Sequence, residues 1–337
     1  MIKSRLIPEV DFTKDGKQTG FIRLFHSTHA SAYGYIPIPI VVVKNGDGPT
    51  AFFSAGNHGD EYEGQIALTN LVKFLTPEKI KGRVIILPMA NFPAAMAGRR
   101  VSPIDDVNMN RIFPGDADGT VTRQIAHFID SELVPLADLV IDLHSGGSSL
   151  MYVPCALARQ SDDPALYQKQ LAALRAFGAP FTYIQGGAQG QGGDQTLGSG
   201  AARRGKITLG TELGGSGTLT PAGLAIAERG LRNLLVHMGI LGQEEWVEPP
   251  VPTRFLDVRG QDYYIYAPEN GLFEPLVELG DEVRPGQPAA RIHFSETPWL
   301  PPVEIAFKAG GLVMCKRIPA RTMRGDCLFH LASDLAV

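Results

Sequence analysis

Three short apolar runs constrain this chain more than any other feature of it. They are "TAFFSAGNHGDE" from Thr50, "ADLVIDLHSGG" from Ala137 and "KITLGTELGG" from Lys206. Each reads as a strand with apolar side chains on both faces, which only a sheet covered on both sides can bury. Each then breaks into glycine beside a chemically capable side chain: His58 and Glu61, His144, and Glu212. Stretches with helical spacing separate the runs, among them "GQIALTNLVKFL", "TRQIAHFIDSELVPLA", "PALYQKQLAALRAFG" and "PAGLAIAERGLRNLLVHMGIL". Alternating strands and helices with short connections predict an α/β fold on a mixed, largely parallel sheet flanked by helices. Open sheets of this kind bind ligands at the carboxyl edge of their strands, and the four singled-out residues fall there.

At 337 residues the chain exceeds one ordinary core. The α/β pattern ends near residue 245, and "VEPPVPTR" reads as a linker. The expected division is an α/β unit over 1–246, with 1–44 as an N-terminal extension and first strands, and a small all-β unit over 247–337. Within the latter, "GLFEPLVELGDEVRPGQPAARI" and "GLVMCKRIPARTMRGDCLFHLA" align without gaps at Gly-Leu and at Arg284 with Arg324, which suggests a pseudo-symmetric β-sandwich. The formal charge of -4 argues against nucleic-acid or anionic-membrane partners. The N-terminus lacks a signal-peptide core, and no stretch approaches the ~18 apolar residues of a membrane span. Three cysteines, Cys155, Cys315 and Cys327, form no CxxC pair and fit a reducing compartment. A cytoplasmic protein is expected, and a homo-oligomer is left open.

A neutral imidazole and a carboxylate in HxxE spacing, His58 and Glu61, can reach one metal ion. Alone, the pair reads equally as a polar loop with an acid at a helix N-terminus. His144 occupies the same strand-end position as His58, and two histidines plus a glutamate with an open position form a catalytic zinc pattern. Asp142 either orients a ligand imidazole from behind or caps a backbone amide. Glu212 can take a proton from an activated water and return it to a leaving amine. "AGRRVSPIDDVNMNRIFPG" supplies Arg111 with Asn110 as a carboxylate clamp, and Arg100, or Arg99, to stabilise an oxyanion. In the glycine-rich "QGGAQGQGGDQTLGSG" the one acid, Asp194, is either a contact for a cationic amine or an exposed turn residue.

Together, "GNHGDEYEG", "NMNRIFPG", "DLHSGG" and "TELGG", in this order over about residues 45 to 240, resemble the succinylglutamate desuccinylase/aspartoacylase family. The resemblance implies a zinc-carboxypeptidase-like fold and one Zn2+ on His58, Glu61 and His144. It also implies Glu212 as general base, Asn110 and Arg111 on the substrate α-carboxylate, and Arg100 at the carbonyl. Within the family, "HGDEYEG", "SPIDDVNMNRIFPG" and "DLHSGG" are most similar to the N-acetyl-diaminobutyrate deacetylase branch of ectoine breakdown. That implies hydrolysis of N-α-acetyl-L-2,4-diaminobutyrate, a small-molecule N-acyl amino acid. Cobalt, manganese or iron suit a similar ligand set. The C-terminal region resembles a lipoyl-like barrel-sandwich, but "HFSETPWLPP" holds no lysine where a carrier domain presents one, so a structural or site-covering module is expected. A metallocarboxypeptidase acting on short peptides, or a non-catalytic metabolite-binding protein, would share much of this pattern. The presence of Glu212 counts against the second.

Overall fold

The computed structural model describes residues 4–185 and 193–336. Thr50–Ala55 and Leu139–Leu143 are buried at every position, as strands apolar on both faces must be. They lie in the middle of four parallel neighbours, in the order Gly82–Leu87, Thr50–Ala55, Leu139–Leu143, Ile207–Glu212. Beyond Gly82–Leu87 the sheet turns antiparallel through Tyr35–Asn45 and Gly16–Phe25, a long hairpin pair. On the other side Cys155–Arg159 runs antiparallel to Ile207–Glu212, and Phe181–Gln185 and Arg254–Asp257 follow it in parallel.

Strand alternation sends neighbouring residues to opposite faces, and each face has its own core. Phe53 and Ile141 pack under the helices Tyr62–Phe74, Pro164–Phe177 and Pro221–His237, with Leu68, Leu174 and Leu231 among the contacts. Phe52 and Val140 pack on the other face against Phe113, Ile125 and Leu133. The stretch "TRQIAHFIDSELVPLA" is not one continuous α-helix. The α-helix covers Val121–Phe128, then widens into a π-helical turn, Ile129–Leu133, and closes as a 3-10 turn, Val134–Leu136. Pro135 lacks the N–H that would continue the α-helical ladder.

The C-terminal strands form a second, antiparallel sheet ordered Val303–Ala306, Pro288–His293, Gly271–Pro275, Arg321–Thr322. Around a core that includes Ile292, Phe307 and Phe329 they oppose Gly311–Arg317 and Cys327–Asp334. The repeat read from the sequence has a topological counterpart: Gly271 and Gly311 each start a strand. The short strand of each half pairs across with the other half, Glu282–Val283 with Gly311–Arg317 and Arg321–Thr322 with Gly271–Pro275. Cys327–Asp334 also pairs with Arg254–Asp257, so hydrogen bonding runs from the large mixed sheet into the C-terminal strands. Among the described residues, no helix is long and apolar enough to cross a membrane.

Candidate metal centre

The segment after Thr50–Ala55 is shaped by close backbone contacts. Gly56 ends the strand at φ +67°, and a Cβ on Gly59 would lie 2.0 Å from the Ala94 carbonyl oxygen. The chain is therefore pressed onto the Phe92–Ala97 helix and then starts Tyr62–Phe74. Glu61 stands immediately before that helix and makes no capping hydrogen bond with its side chain. Its carboxylate sits instead between two imidazoles, His58 Nδ1 2.8 Å from Oε1 and His144 Nδ1 2.8 Å from Oε2. His144 follows Leu139–Leu143 directly, and its N–H donates to Thr211 Oγ1 at 2.9 Å. The Ser145 N–H donates to Glu61 Oε2 at 3.1 Å. His58, Glu61 and His144 are all buried, and their ligand atoms lie within 4.8 Å of one another.

The far side of each ring decides what the near side can be. His144 Nε2 lies 2.7 Å from Asp142 Oδ2, and His58 Nε2 lies 3.1 Å from Asn108 Oδ1. Each Nδ1 in turn faces a Glu61 oxygen, so both nitrogens of each ring are aimed at an acceptor. The two imidazoles converge on one buried carboxylate that can only accept. Such an array is held together by protons on the ring nitrogens or by a cation in their place, and a His-Glu-His donor set suits a divalent ion such as zinc. Without a cation the three groups share the charge unequally. Burial opposes ionisation of Glu61, but His58 and His144 outweigh it and hold the carboxyl well below its usual range. Burial pushes His58 down, and Glu61 only partly offsets it. For His144 the same burial is outweighed by Asp142 and Glu61, which raise it well above the usual value.

The other sequence-derived residues are placed unequally. Arg100 Nη1 lies 3.3 Å from His58 Nδ1 and 3.4 Å from Glu61 Oε1. Arg99 instead reaches Asp106, 3.5 Å away, with both side chains largely exposed. Of the two readings of Asp142, contact with the His144 imidazole is the one the geometry contains, and Asn57 Nδ2 donates to the same oxygen at 3.1 Å. Asn110 Nδ2 is 3.1 Å from His144 Nε2, and its Oδ1 accepts from Leu197 N–H at 3.0 Å. Arg111 braces its turn by donating to the Asn110 carbonyl at 2.8 Å. Burial, then the charge of Arg100, lower its affinity for its proton, and Glu212 acts the other way. Glu212 ends Ile207–Glu212, with Oε2 buried and unpartnered. Burial, then the charge of Glu61, push its carboxyl well above the usual value, against the pull of His144, Arg100 and Arg111. Asp194 is exposed in the turn Gly193–Gln195, its carbonyl accepting from Arg203. The preceding glycine-rich residues 186–192 lie outside the described residues.

Several supporting groups escaped the sequence reading. Asn108 is one. Glu63 is another: its carboxylate accepts from Ser145 Oγ at 2.6 Å and from Thr220 N–H at 3.0 Å, tying the segment after His144 to the start of Pro221–His237. Asp60 accepts from Ser148 N–H and Oγ, each at 2.7 Å. The available signal was the acidity of the whole "GDEYEG" segment, of which only Glu61 stood out as a ligand.

Residues 47–238 match the succinylglutamate desuccinylase/aspartoacylase catalytic domain. The chain belongs to that family. It is 44% identical, over 96% of its length and 93% of the relative's, to the N-alpha-acetyl-L-2,4-diaminobutyric acid deacetylase of Halomonas elongata. A crystal structure of a succinylglutamate desuccinylase/aspartoacylase from Rhodobacter sphaeroides superposes with a TM-score of 0.92 at 41% identity, covering 99% of this chain and all of that one. The product-bound ectoine utilization protein EutE (DoeB) from Ruegeria pomeroyi superposes with a TM-score of 0.93 at 39% identity, with the same coverage. The family's fold is therefore the fold of this chain from end to end, C-terminal strands included.

Proposed function

We propose that this family member hydrolyses N-α-acetyl-L-2,4-diaminobutyrate to acetate and L-2,4-diaminobutyrate, with one Zn2+ per chain held by His58, Glu61 and His144. The observation that carries the metal assignment is the convergence of two imidazole Nδ1 atoms, each 2.8 Å away, on one buried carboxylate. The 44% identity to a deacetylase of this substrate over 96% of the chain supports the substrate. When bound, such a cation supplies Lewis-acid polarisation of the amide carbonyl and acidifies a water.

The chain's own residues do the rest. Arg111 and the Asn110 amide hold the substrate α-carboxylate, a planar anion suited to a guanidinium fork. Arg100, beside His58 and Glu61, faces the carbonyl oxygen and stabilises the negative charge that develops there. Glu212 takes the proton of the attacking water and passes it to the departing amine. Its Oε2 is buried without a partner, which leaves it free to accept that proton and hand it on. The two buried free thiols, Cys155 and Cys315, support a reducing, cytoplasmic setting.

The test is release of free amine from N-α-acetyl-L-2,4-diaminobutyrate by zinc-loaded protein beside a chelator-treated control. Rapid, chelator-sensitive release supports reaction and substrate together. Release from N-succinyl or N-formyl amino acids or from dipeptides, with none from this compound, overturns the substrate. Equal release with and without metal overturns the site.

A further inference from the structure

The hairpin of Gly16–Phe25 and Tyr35–Asn45 outruns the sheet it joins. Tyr35–Asn45 pairs with Gly82–Leu87 only from Val41 onward, while residues 35–40 pair with Gly16–Phe25. Successive side chains of a strand point to opposite faces, and the two faces of this extension differ. Ile22, Leu24, Ile36 and Ile38 are buried in the core that holds Met109 and Phe113. The other face is largely open. There Phe21 lies across from Pro39, Phe25 across from Tyr35, and Arg23 between Pro37 and Ile7. Residues directly opposite share a face, so these side chains form one continuous patch. Phe25 is 60% exposed, and Tyr33, in the connection, 97%. A two-stranded extension is marginal by itself in water, and an exposed apolar patch of this kind marks an interaction surface.

We propose that this face is the contact between two copies of the chain, packed face to face about a two-fold axis. Three observations select a second copy as the occupant. The first is composition: aromatic side chains surround an arginine, the residue types enriched where proteins meet. The second is charge. A two-fold contact sets one surface against itself, so each copy must carry both members of any charge pair. Here the patch carries one base and one acid. The Arg23 guanidinium lies 5.8 Å from the centre of the Tyr35 ring, and its Nε is 3.4 Å from Glu9 Oε1. Glu9 stands across from Phe21, its N–H donating to the Phe21 carbonyl at 2.9 Å. A patch so balanced is complementary to itself and offers no excess of positive charge to an anionic membrane. The third is area. The chain exposes 14800 Å², against about 13,400 Å² for a monomer of this mass by the usual surface scaling. The excess covers the ~800 Å² that a standard interface takes from each partner.

The mass in solution decides it, read by analytical ultracentrifugation at micromolar protein, with circular dichroism as the control for folding. The wild type is expected at twice the mass of the chain. Phe25→Glu sets a charge into the apolar part of the contact and should run at the mass of a single chain with unchanged circular dichroism. Arg23→Glu leaves only acids on the face, and Glu9→Arg leaves only bases, so each variant alone repels its own copy and should be monomeric. An equimolar mixture of those two variants restores opposite charges across the axis and should return to the dimer mass. A monomeric wild type overturns the proposal, and cosedimentation of that monomer with phosphatidylserine vesicles would assign the face to a lipid surface. A folded Phe25→Glu protein that remains dimeric also overturns it, by placing the contact elsewhere. Single charge variants that stay monomeric when mixed overturn the two-fold pairing of Arg23 with Glu9. The charge variants carry the test by themselves if Phe25→Glu does not fold.

Discussion

His58 and His144 are buried to 4% and 8% exposure, and His330 to 3%. Burial therefore does not distinguish them; their neighbours do. At the strand ends of the catalytic sheet every ring nitrogen of His58 and His144 has a polar partner. His330, on Cys327–Asp334, has none on either nitrogen. Its ring stacks on Tyr264, with centroids 4.6 Å apart and planes 3° from parallel, and meets Tyr183 and Tyr152 edge-on. One environment brings two imidazoles and a carboxylate together at one point. The other uses an imidazole as a flat, neutral packing element. A buried histidine is a candidate site where polar partners orient its ring and several ligand atoms converge.

The largest effect that tests this contrast is loss of the metal. His144→Ala should abolish both retained zinc after dialysis and amine release, while His330→Phe should leave both near wild type. Metal content by atomic absorption decides it, and a His144→Ala protein that keeps a full zinc complement removes His144 from the ligand set. Next comes the base. Glu212→Gln preserves shape and, because Glu212 is not among the clustered residues that could hold the metal, should leave zinc bound while turnover falls about 10²- to 10⁴-fold, the usual contribution of a positioned general base. Near-wild-type turnover would mean that another group takes the proton.

The paired arginines give a smaller effect. Arg100 lies against His58 and Glu61, so Arg100→Ala should lower kcat by about 10²-fold, in line with loss of one oxyanion donor. Arg99 pairs with an exposed Asp106, and such surface pairs contribute at most about 1 kcal/mol. Arg99→Ala should therefore be kinetically silent. Equal losses in the two variants would show that the segment as a whole, not the Arg100 guanidinium, matters.

The parts of the molecule that were legible follow from the same physics. A strand buried on both faces shows as an uninterrupted apolar run, and a polar residue at its end stands out, so His58, His144 and Glu212 could be placed before any coordinates. The strands Cys155–Arg159 and Phe181–Gln185 are five residues each and carry alanine, arginine and glutamine, so their pattern was too short and mixed to separate from loop. Asn108 and Glu63 were illegible for another reason. Their partners are 50 and 157 residues away, and a loop asparagine or an early-helix glutamate has no periodicity that points to a distant ring or N–H. Asp142 was half legible: its distance of two residues from His144 suggested contact, but strand geometry alone did not exclude a backbone cap.

The smallest effect on activity is also the sharpest test of the other environment. Burial without partners lowers the His330 pKa to about 4, against 6.5 for the unperturbed side chain. Below 6.5 the unfolded chain takes up a proton at this position that the folded chain refuses until about 4. The unfolded state thus binds more protons across that window, and stability rises with pH there. The contribution is fully present above pH 6.5 and is lost progressively as pH falls to about 4. Its size follows from a depression of about 2.5 units, or about 3 kcal/mol. His330→Phe fills the same tyrosine-lined space with a ring that cannot be protonated. Denaturant unfolding of both proteins between pH 7 and pH 4 should therefore give curves that diverge as the pH falls, with the variant losing less stability. Parallel curves would mean that His330 finds a hydrogen-bonding partner in solution, and the contrast with the two strand-end histidines would then be one of degree rather than of kind.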